Sequence, residues 1–395
     1  MAVRPSYDIV VAGGAVMGSS AAWWLSHLGQ GLRILVVERD PSYARSSTAL
    51  SVASIRQQFS NPVNVQISKF GIRFIKNIHE YMEMSDDLQT LSLVENGYLF
   101  LAGRAQSANA MRKAAAMQRS LGAATELLDP EQIKRRFPWL EVSDVALGSF
   151  GPRDEGWFDN MGLLRAFRDA AQRSGVTVVT DEVVGLDLHN GRIGSVRLAR
   201  AGSVAAGHVV NAAGTRAAAL IRLVGQDMPV EPRKRTVFLI DAPGARHPGA
   251  PLLVDHTGFY LRPERDRWIC ASVPHDDHAA DPEDFAPDHS AFEEVIWPRL
   301  YARAPEFDAV KVQGVWAGHY AFNTFDQNAI VGRVPGVDNF YAMNGFSGHG
   351  LQQAPAVGRG IAELILSGRY QSLDLSALGM DRIARGRPVI ETAIV

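Results

Sequence analysis

Two glycine-rich turns, one near each end of the chain, are where residue type and spacing could do chemistry. The first is Gly13-Gly14-Ala15-Val16-Met17-Gly18, which follows an apolar run at 9–12 and opens a helix-like segment at 19–28. Residues 33–38 then read as a second strand ending in Glu38, 20 residues beyond Gly18. Strand, tight turn, helix and a second strand closed by an acid form the arrangement that holds a dinucleotide. Backbone N–H groups and the helix dipole meet a pyrophosphate, and the carboxylate accepts from ribose hydroxyls. Ala15 stands where the usual motif has its middle glycine, so its methyl loosens the closest approach to phosphate. The competing reading is a tight turn in an unrelated α/β protein; the strand context and Glu38 argue against it.

The second turn, Asn344-Gly345-Phe346-Ser347-Gly348-His349-Gly350, lies between a strand at 339–343 and a helix at 351–366. The spacing puts Pro355 in the first turn of that helix, and Gly358 and Gly360 allow close packing. Such a turn aims a helix N-terminus, roughly half a positive charge, at another part of the same cofactor. On a flavin, that charge stabilises the negative pyrimidine side of the reduced ring.

Elements that could position these turns follow from the pattern between them. Residues 46–59 (Ser46, Ser47, Thr48, Leu50, Ser51, Ser54, Ile55 and Arg56 among them) are small, polar and aperiodic. They read either as chain lying flat on a ligand or as a surface serine loop. Asn61-Pro62 starts a helix whose stripe of Ile67, Phe70, Phe74, Ile75 and Ile78 reads as core. A strand at 98–102, a helix near 105–121, a cap at Asp129-Pro130 and a helix at 161–174 come next. Strands at 176–180, 183–188, 193–199 and 206–211 then form a meander, turned at Asn190-Gly191. Strands dominate 230–273. The stretch 275–289, rich in His, Asp and Glu, lacks metal-ligand spacing and reads as a solvated acidic loop. Arg233-Lys234-Arg235 is too short for a nucleic-acid patch and reads as the start of a strand.

Composition bounds the answer. With 395 residues, 46% hydrophobic and 21% charged, the chain has the make-up of a folded protein of two or three domains. Forty basic against 42 acidic residues, net -2, argue against nucleic acid as a partner. The one cysteine, Cys270, makes no internal disulfide, which suits a reducing compartment. Residues 9–32 carry no Asp, Glu, Lys or Arg, but their glycines, serines and missing basic lead read as a βαβ unit and not a membrane span or signal peptide. No transmembrane segment and a cytoplasmic location are therefore expected.

In their order, Gly13–Gly18 with Glu38, the 46–56 stretch, Val209-Val210-Asn211-Ala212-Ala213-Gly214, Trp316-Ala317-Gly318-His319-Tyr320 and the 345–351 turn resemble the D-amino-acid oxidase and sarcosine oxidase family of FAD enzymes, over nearly the whole chain. Residues 345–375, with Ser54-Ile55-Arg56-Gln57-Gln58-Phe59-Ser60, are most similar to flavoproteins implicated in complex I assembly and to β subunits of heteromeric sarcosine and proline oxidising enzymes. The resemblance implies an α/β fold: a Rossmann-like FAD-binding domain of the glutathione-reductase type, βαβ with a β-meander, and an antiparallel-sheet α+β substrate domain. It divides the chain into 1–84, 149–218 and 328–395 for FAD and 85–148 and 219–327 for substrate. It implies that Gly13, Gly14, Gly18, Glu38, Arg39 and the serine stretch hold FAD, with Ala15, Val16 and Met17 in the same turn. Val183, Ala213 and Gly214 would enclose the adenosine end, and Gly345, Phe346, Ser347, Gly348, His349, Gly350, Leu351 and Gln352 the isoalloxazine.

The family oxidises an amine beside a carboxylate by hydride transfer to flavin, giving an imine. By resemblance Arg56 takes the substrate carboxylate; a phosphate contact or a structural ion pair is the other reading. Tyr260 and Tyr320 are wall residues over the flavin or core, and with Arg56, His319, His349 and Gln352 they make up the candidate catalytic set. His319 stands where monomeric sarcosine oxidases tether FAD through cysteine, which implies noncovalent FAD. Gln352 replaces their second carboxylate-binding lysine, and the strand at 268–273 lacks their oxygen-activating lysine. The acceptor is then oxygen or a quinone or other electron carrier, and a protein partner subunit stays open. The alternative function is a flavin-stabilised assembly factor or partner subunit with little turnover. A nicotinamide dehydrogenase leaves the second glycine turn unexplained.

Overall fold

The computed structural model describes residues 3–83 and 91–393; the division expected between 84 and 85 lies outside the described residues. Two eight-stranded sheets alternate along the chain. In the first, Ser6–Ala12 runs parallel between Ile34–Glu38 and Gly202–Asn211, with Thr177–Thr180 beyond one and Phe340–Asn344 beyond the other. Ile9, Val10 and Val11 are almost wholly buried, as a parallel strand covered on both faces requires. The meander Val183–His189, Arg192–Leu198 and Gly202–Asn211 joins this sheet antiparallel, turning at Asn190 (φ 49°) and Gly191 (φ 75°), the left-handed pair a two-residue hairpin needs. Its last strand starts four residues earlier than the apolar run at 206–211 suggested.

The second sheet places Lys311–Asn323 at one edge, then Val230–Asp241, Arg267–Ser272, Phe259–Glu264, Leu252–Val254, Tyr98–Ala102, Leu147–Gly151 and Glu126–Leu128. Every pairing is antiparallel except Tyr98–Ala102 with Leu252–Val254. The basic triplet 233–235 does not start a strand; it lies inside Val230–Asp241, paired with Gly318, His319 and Tyr320.

The helix Val16–Leu28 packs between Asn160–Arg173 and Gly350–Ser367. A Cβ on Gly358 would lie 2.2 Å from Ser20 Oγ, so glycine sets that close approach. Pro355 is not in the first turn of its helix: the helix begins at Gly350, which puts the proline one turn further in. The carbonyls around it find partners across the interface, where Ser20 Oγ donates to Ala354 O at 2.7 Å and Trp24 Nε1 to Pro355 O at 2.9 Å.

Candidate active site

A cavity of about 860 Å³ lies between the two sheets, within the upper range of ligand pockets. The first glycine turn lines it through Gly13, Ala15, Val16 and Met17, and the meander through Val183, Ala213 and Gly214. Glu38, Arg39, Ser46, Ser47, Thr48, Leu50, Ser51 and Ser54 form one side. The far end brings together Arg56, Tyr260, His319, Tyr320 and the second turn from Phe346 to Gln352. The serine stretch is no outer-surface loop. Ser47 Oγ donates to His319 O at 2.7 Å and Trp316 Nε1 to Leu50 O at 3.1 Å, which ties it to the second sheet.

Four residues expected at the cofactor lie behind the lining and act through shape. Gly14 N–H donates to Glu38 Oε2 at 2.8 Å. Gly18 lets the helix close on the turn, since a Cβ there would stand 1.8 Å from Gly13 O. Gly345 has φ +68° and would press a Cβ to 2.9 Å from Val230 Cγ2. Ile55 is fully buried in the core beside the first helix.

Two helix N-termini open into this one cavity. Neither Val16–Leu28 nor Gly350–Ser367 has an N-cap side-chain bond or an acid in its first turn; Val16 N–H donates to Thr48 Oγ1 at 3.3 Å, and the other leading N–H groups are left for a ligand. Ser347 holds the second turn to the other sheet, its N–H donating to Ala321 O (3.0 Å) and its Oγ accepting from Asn323 N (3.0 Å). An elongated ligand with anionic phosphates at the first turn and an electron-accepting ring at the second fits this arrangement, which is the shape and charge of FAD.

Arg56 is buried at 3% exposure, yet no carboxylate of the described residues pairs with it. Its guanidinium lies 4.2 Å from the ring centre of Phe59 and between 5 and 6 Å from those of Tyr98 and Phe100. Nη2 donates to Ala393 O, and Nε is buried with no acceptor. Gln352 Oε1 is committed to the Arg56 backbone N–H (2.9 Å) and to Ser68 Oγ (3.1 Å), so it holds the arginine in place. Glu155, which nothing in the sequence singled out, holds the next two residues: Oε1 accepts from Gln57 N and Oε2 from Gln58 Nε2, each at 2.8 Å. Burial pushes this carboxyl up to about 7, against the opposing pull of those bonds and of Arg56.

Two histidines and three tyrosines at this end are kept neutral. Burial, with Arg56 adding to it and Glu391 opposing it, lowers His349 and leaves the imidazole uncharged, its Nε2 without a partner. Burial also lowers His319, against the opposing pull of the Asp284 backbone and charge, and its ring packs 4.6 Å from Phe285. Tyr98, Tyr260 and Tyr320 are raised by burial and stay protonated, with Arg56 or Arg235 opposing the shift. Tyr260 and Tyr320 line the cavity, and Tyr260 also packs into the cluster with Val237 and Ala271. Cys270 packs into the cluster on the opposite face of its strand, while Ile269 and Ala271 share a cluster with Tyr260 and Val237.

The stretch 275–289 is not a freely solvated loop. Asp277 pairs with Arg235 at 2.7 Å, Asp284 with Lys234 at 2.6 Å, and Glu283 with Arg39, Arg45 and Arg216, so its charges are latched onto cations beside the cavity. Among the described residues no group of three or more His, Cys, Asp or Glu is placed to hold a metal, and no helix is long and apolar enough to cross a membrane. Arg235 is a charged cavity residue to which sequence reading gave no role at the site. Its alternation with Val237 on an apolar strand was the available signal.

The sequence profile of the family described as DAO, FAD dependent oxidoreductase, matches residues 8–364. The chain is 41% identical to FAD-dependent oxidoreductase domain-containing protein 1 of Bos taurus, over 98% of this chain and 87% of that protein. Among solved structures it is similar to L-proline dehydrogenase from P.horikoshii, with TM-score 0.85 and 27% identity over 98% of this chain and 100% of that one. Glycine oxidase from Geobacillus kaustophilus shares the fold at TM-score 0.80 and 20% identity, covering 95% and 99% of the two chains.

Proposed function

The chain belongs to the DAO family of FAD-dependent oxidoreductases, and on that premise we propose that it oxidises the C–N bond of an amine or of an N-alkyl or D-amino acid to an imine, which water then hydrolyses. FAD, when bound, supplies the two-electron acceptor; the chain supplies binding, orientation and electrostatics. We assign its cradle to the first glycine turn, Glu38, Arg39, the serine stretch, Val183, Ala213 and Gly214, and the ring end to residues 345–352.

The observation that carries this reading is Arg56, a buried guanidinium at the ring end of the cavity with an unpartnered Nε and no carboxylate of the described residues paired with it. A buried cation without a counter-ion is unfavourable until one arrives, and a substrate carboxylate supplies both charge and acceptors. It fixes the amine-bearing carbon over the ring, where exclusion of water and near-attack positioning do the work. His349, neutral, offers one accepting and one donating ring nitrogen and can accept from the amine.

We assign the segments 1–84, 149–218 and 328–395 to FAD and 85–148 and 219–327 to substrate. His319 in place of a tethering cysteine supports noncovalent FAD. The absence of lysine from Arg267–Ser272 supports a quinone or other carrier as acceptor beside oxygen, by removing a cation that would stabilise superoxide. Anaerobic mixing of the FAD-loaded protein with N-alkyl and D-amino acids tests the reaction. At least one should bleach the flavin band; if none does, the enzymatic reading fails.

A further inference from the structure

The ring end of the cavity has a second cationic pole. Arg235 alternates with Val237 along Val230–Asp241, and both side chains line the cavity. The Arg235 side chain is 4% exposed. Asp277 accepts from Nη1 at 2.7 Å and from Nη2 at 2.9 Å, and Nε is buried with no acceptor. The guanidinium stands 5.0 Å from the ring centre of Tyr320. Tyr260, 3% exposed, lines the same region.

The Nε–H groups of Arg56 and Arg235 are both buried without an acceptor, and the phenols of Tyr260 and Tyr320 line the same cavity; unpaired guanidinium donors are matched by a ligand that brings acceptors. A substrate with one carboxylate satisfies Arg56 and leaves the Arg235 Nε–H without an acceptor. A site built to hydrogen-bond a group discriminates against the ligand that lacks it, because its own buried donors then go unpaired. Asp277 neutralises the charge of Arg235 but occupies only its Nη edge, and it sits on the latched segment 275–289 and not in a strand.

We propose that the substrate is an amine bearing two carboxylates, a dicarboxylic or N-carboxyalkyl amino acid. Arg56 receives the carboxylate beside the amine, and Arg235 with Tyr260 and Tyr320 receives the second. Asp277 is the internal competitor for Arg235. The assignment rests on the oxidoreductase reading above, which supplies the role of Arg56, but it is tested by binding alone.

The test uses the FAD-loaded protein and two ligands without an amine: thiodiacetate, with two carboxylates, and methylthioacetate, with one. Kd is read from the shift of the visible flavin band. Thiodiacetate should bind at least about tenfold tighter, the factor that one added charge-assisted hydrogen bond gives. Asp277→Asn should tighten thiodiacetate further, since it frees the Nη edge, a change that a purely structural ion pair would not produce. Arg235→Met combined with Asp277→Asn leaves no unpaired charge in the fold and should bring the ratio of the two Kd values close to one. Equal affinity in the unsubstituted protein, a ratio that survives the double substitution, or no binding of either ligand overturns the proposal. Loss of the oxidoreductase reading shows separately, as amines that never bleach the flavin while the Kd ratio holds.

Discussion

Replacing Glu155 by glutamine tests the buried acid that braces the Arg56 segment. Burial carries its pKa from 4.5 to about 7, and the bonds from Gln58 and Gln57 and the charge of Arg56 offset this only in part. An acid whose folded pKa lies above its unfolded value binds more protons in the native state across that window. Its contribution to stability is therefore fully present below pH 4.5 and is lost as pH rises through 7. At about 1.4 kcal/mol per pH unit, the wild-type protein loses about 3 kcal/mol from this group between pH 5 and pH 8. Glu155→Gln has no such slope. It keeps one acceptor oxygen for two donors, which costs about 1–3 kcal/mol at every pH. Urea unfolding of the FAD-loaded proteins at both pH values gives the comparison, because the difference between variant and wild type cancels every other titrating group. The variant should be the less stable at pH 5 and gain about 3 kcal/mol relative to wild type by pH 8. A stability difference independent of pH would refute the reasoning.

Three further outcomes are expected. Arg56→Lys keeps the charge but loses the planar fork, so KM for a carboxylate-bearing amine should rise by about 10- to 150-fold, the equivalent of one charged hydrogen bond, in an anaerobic flavin-reduction titration; a change below about threefold contradicts the assignment. Gly18→Ala places a methyl 1.8 Å from Gly13 O and should leave the purified protein largely without flavin, read as the ratio of visible to ultraviolet absorbance. Asp326→Ala strands Arg382, whose Nε and Nη2 it accepts from at 2.7 and 2.9 Å in a fully buried pair. It should lower stability by about 3–5 kcal/mol in urea unfolding.

What could be read from the sequence was local. The first turn, Glu38, the meander hairpin and the last helix each carry their signal within a few residues: a glycine that needs a positive φ, an acid at a strand end, Asn-Gly between apolar runs. Arg56 was reached through resemblance, since an arginine in a polar stretch has no pattern of its own. Glu155 and Arg235 were missed because each matters through contacts far along the chain. Glu155 meets Gln58 across 97 positions, and Arg235 meets Asp277 across 42. The acids of 275–289 carry no sign of their partners for the same reason: Lys234 and Arg235 come from the second sheet and Arg39, Arg45 and Arg216 from outside it. Cys270 drew attention to its strand, but period two turns its thiol away from the cavity.

The interface of the first and last long helices also orders events in time. Ser20 meets Ala354 across 334 positions and Trp24 meets Pro355 across 331, so the nucleotide cradle has no back wall until the second glycine turn has been synthesised. During translation Phe70, Phe74 and Tyr81 can cover Trp24 early, but the face of its helix that meets Ala354 and Pro355 stays open for roughly the whole length of the chain. Completion of the cradle is on that account a late step, and a chain that still lacks its last long helix exposes apolar surface open to aggregation.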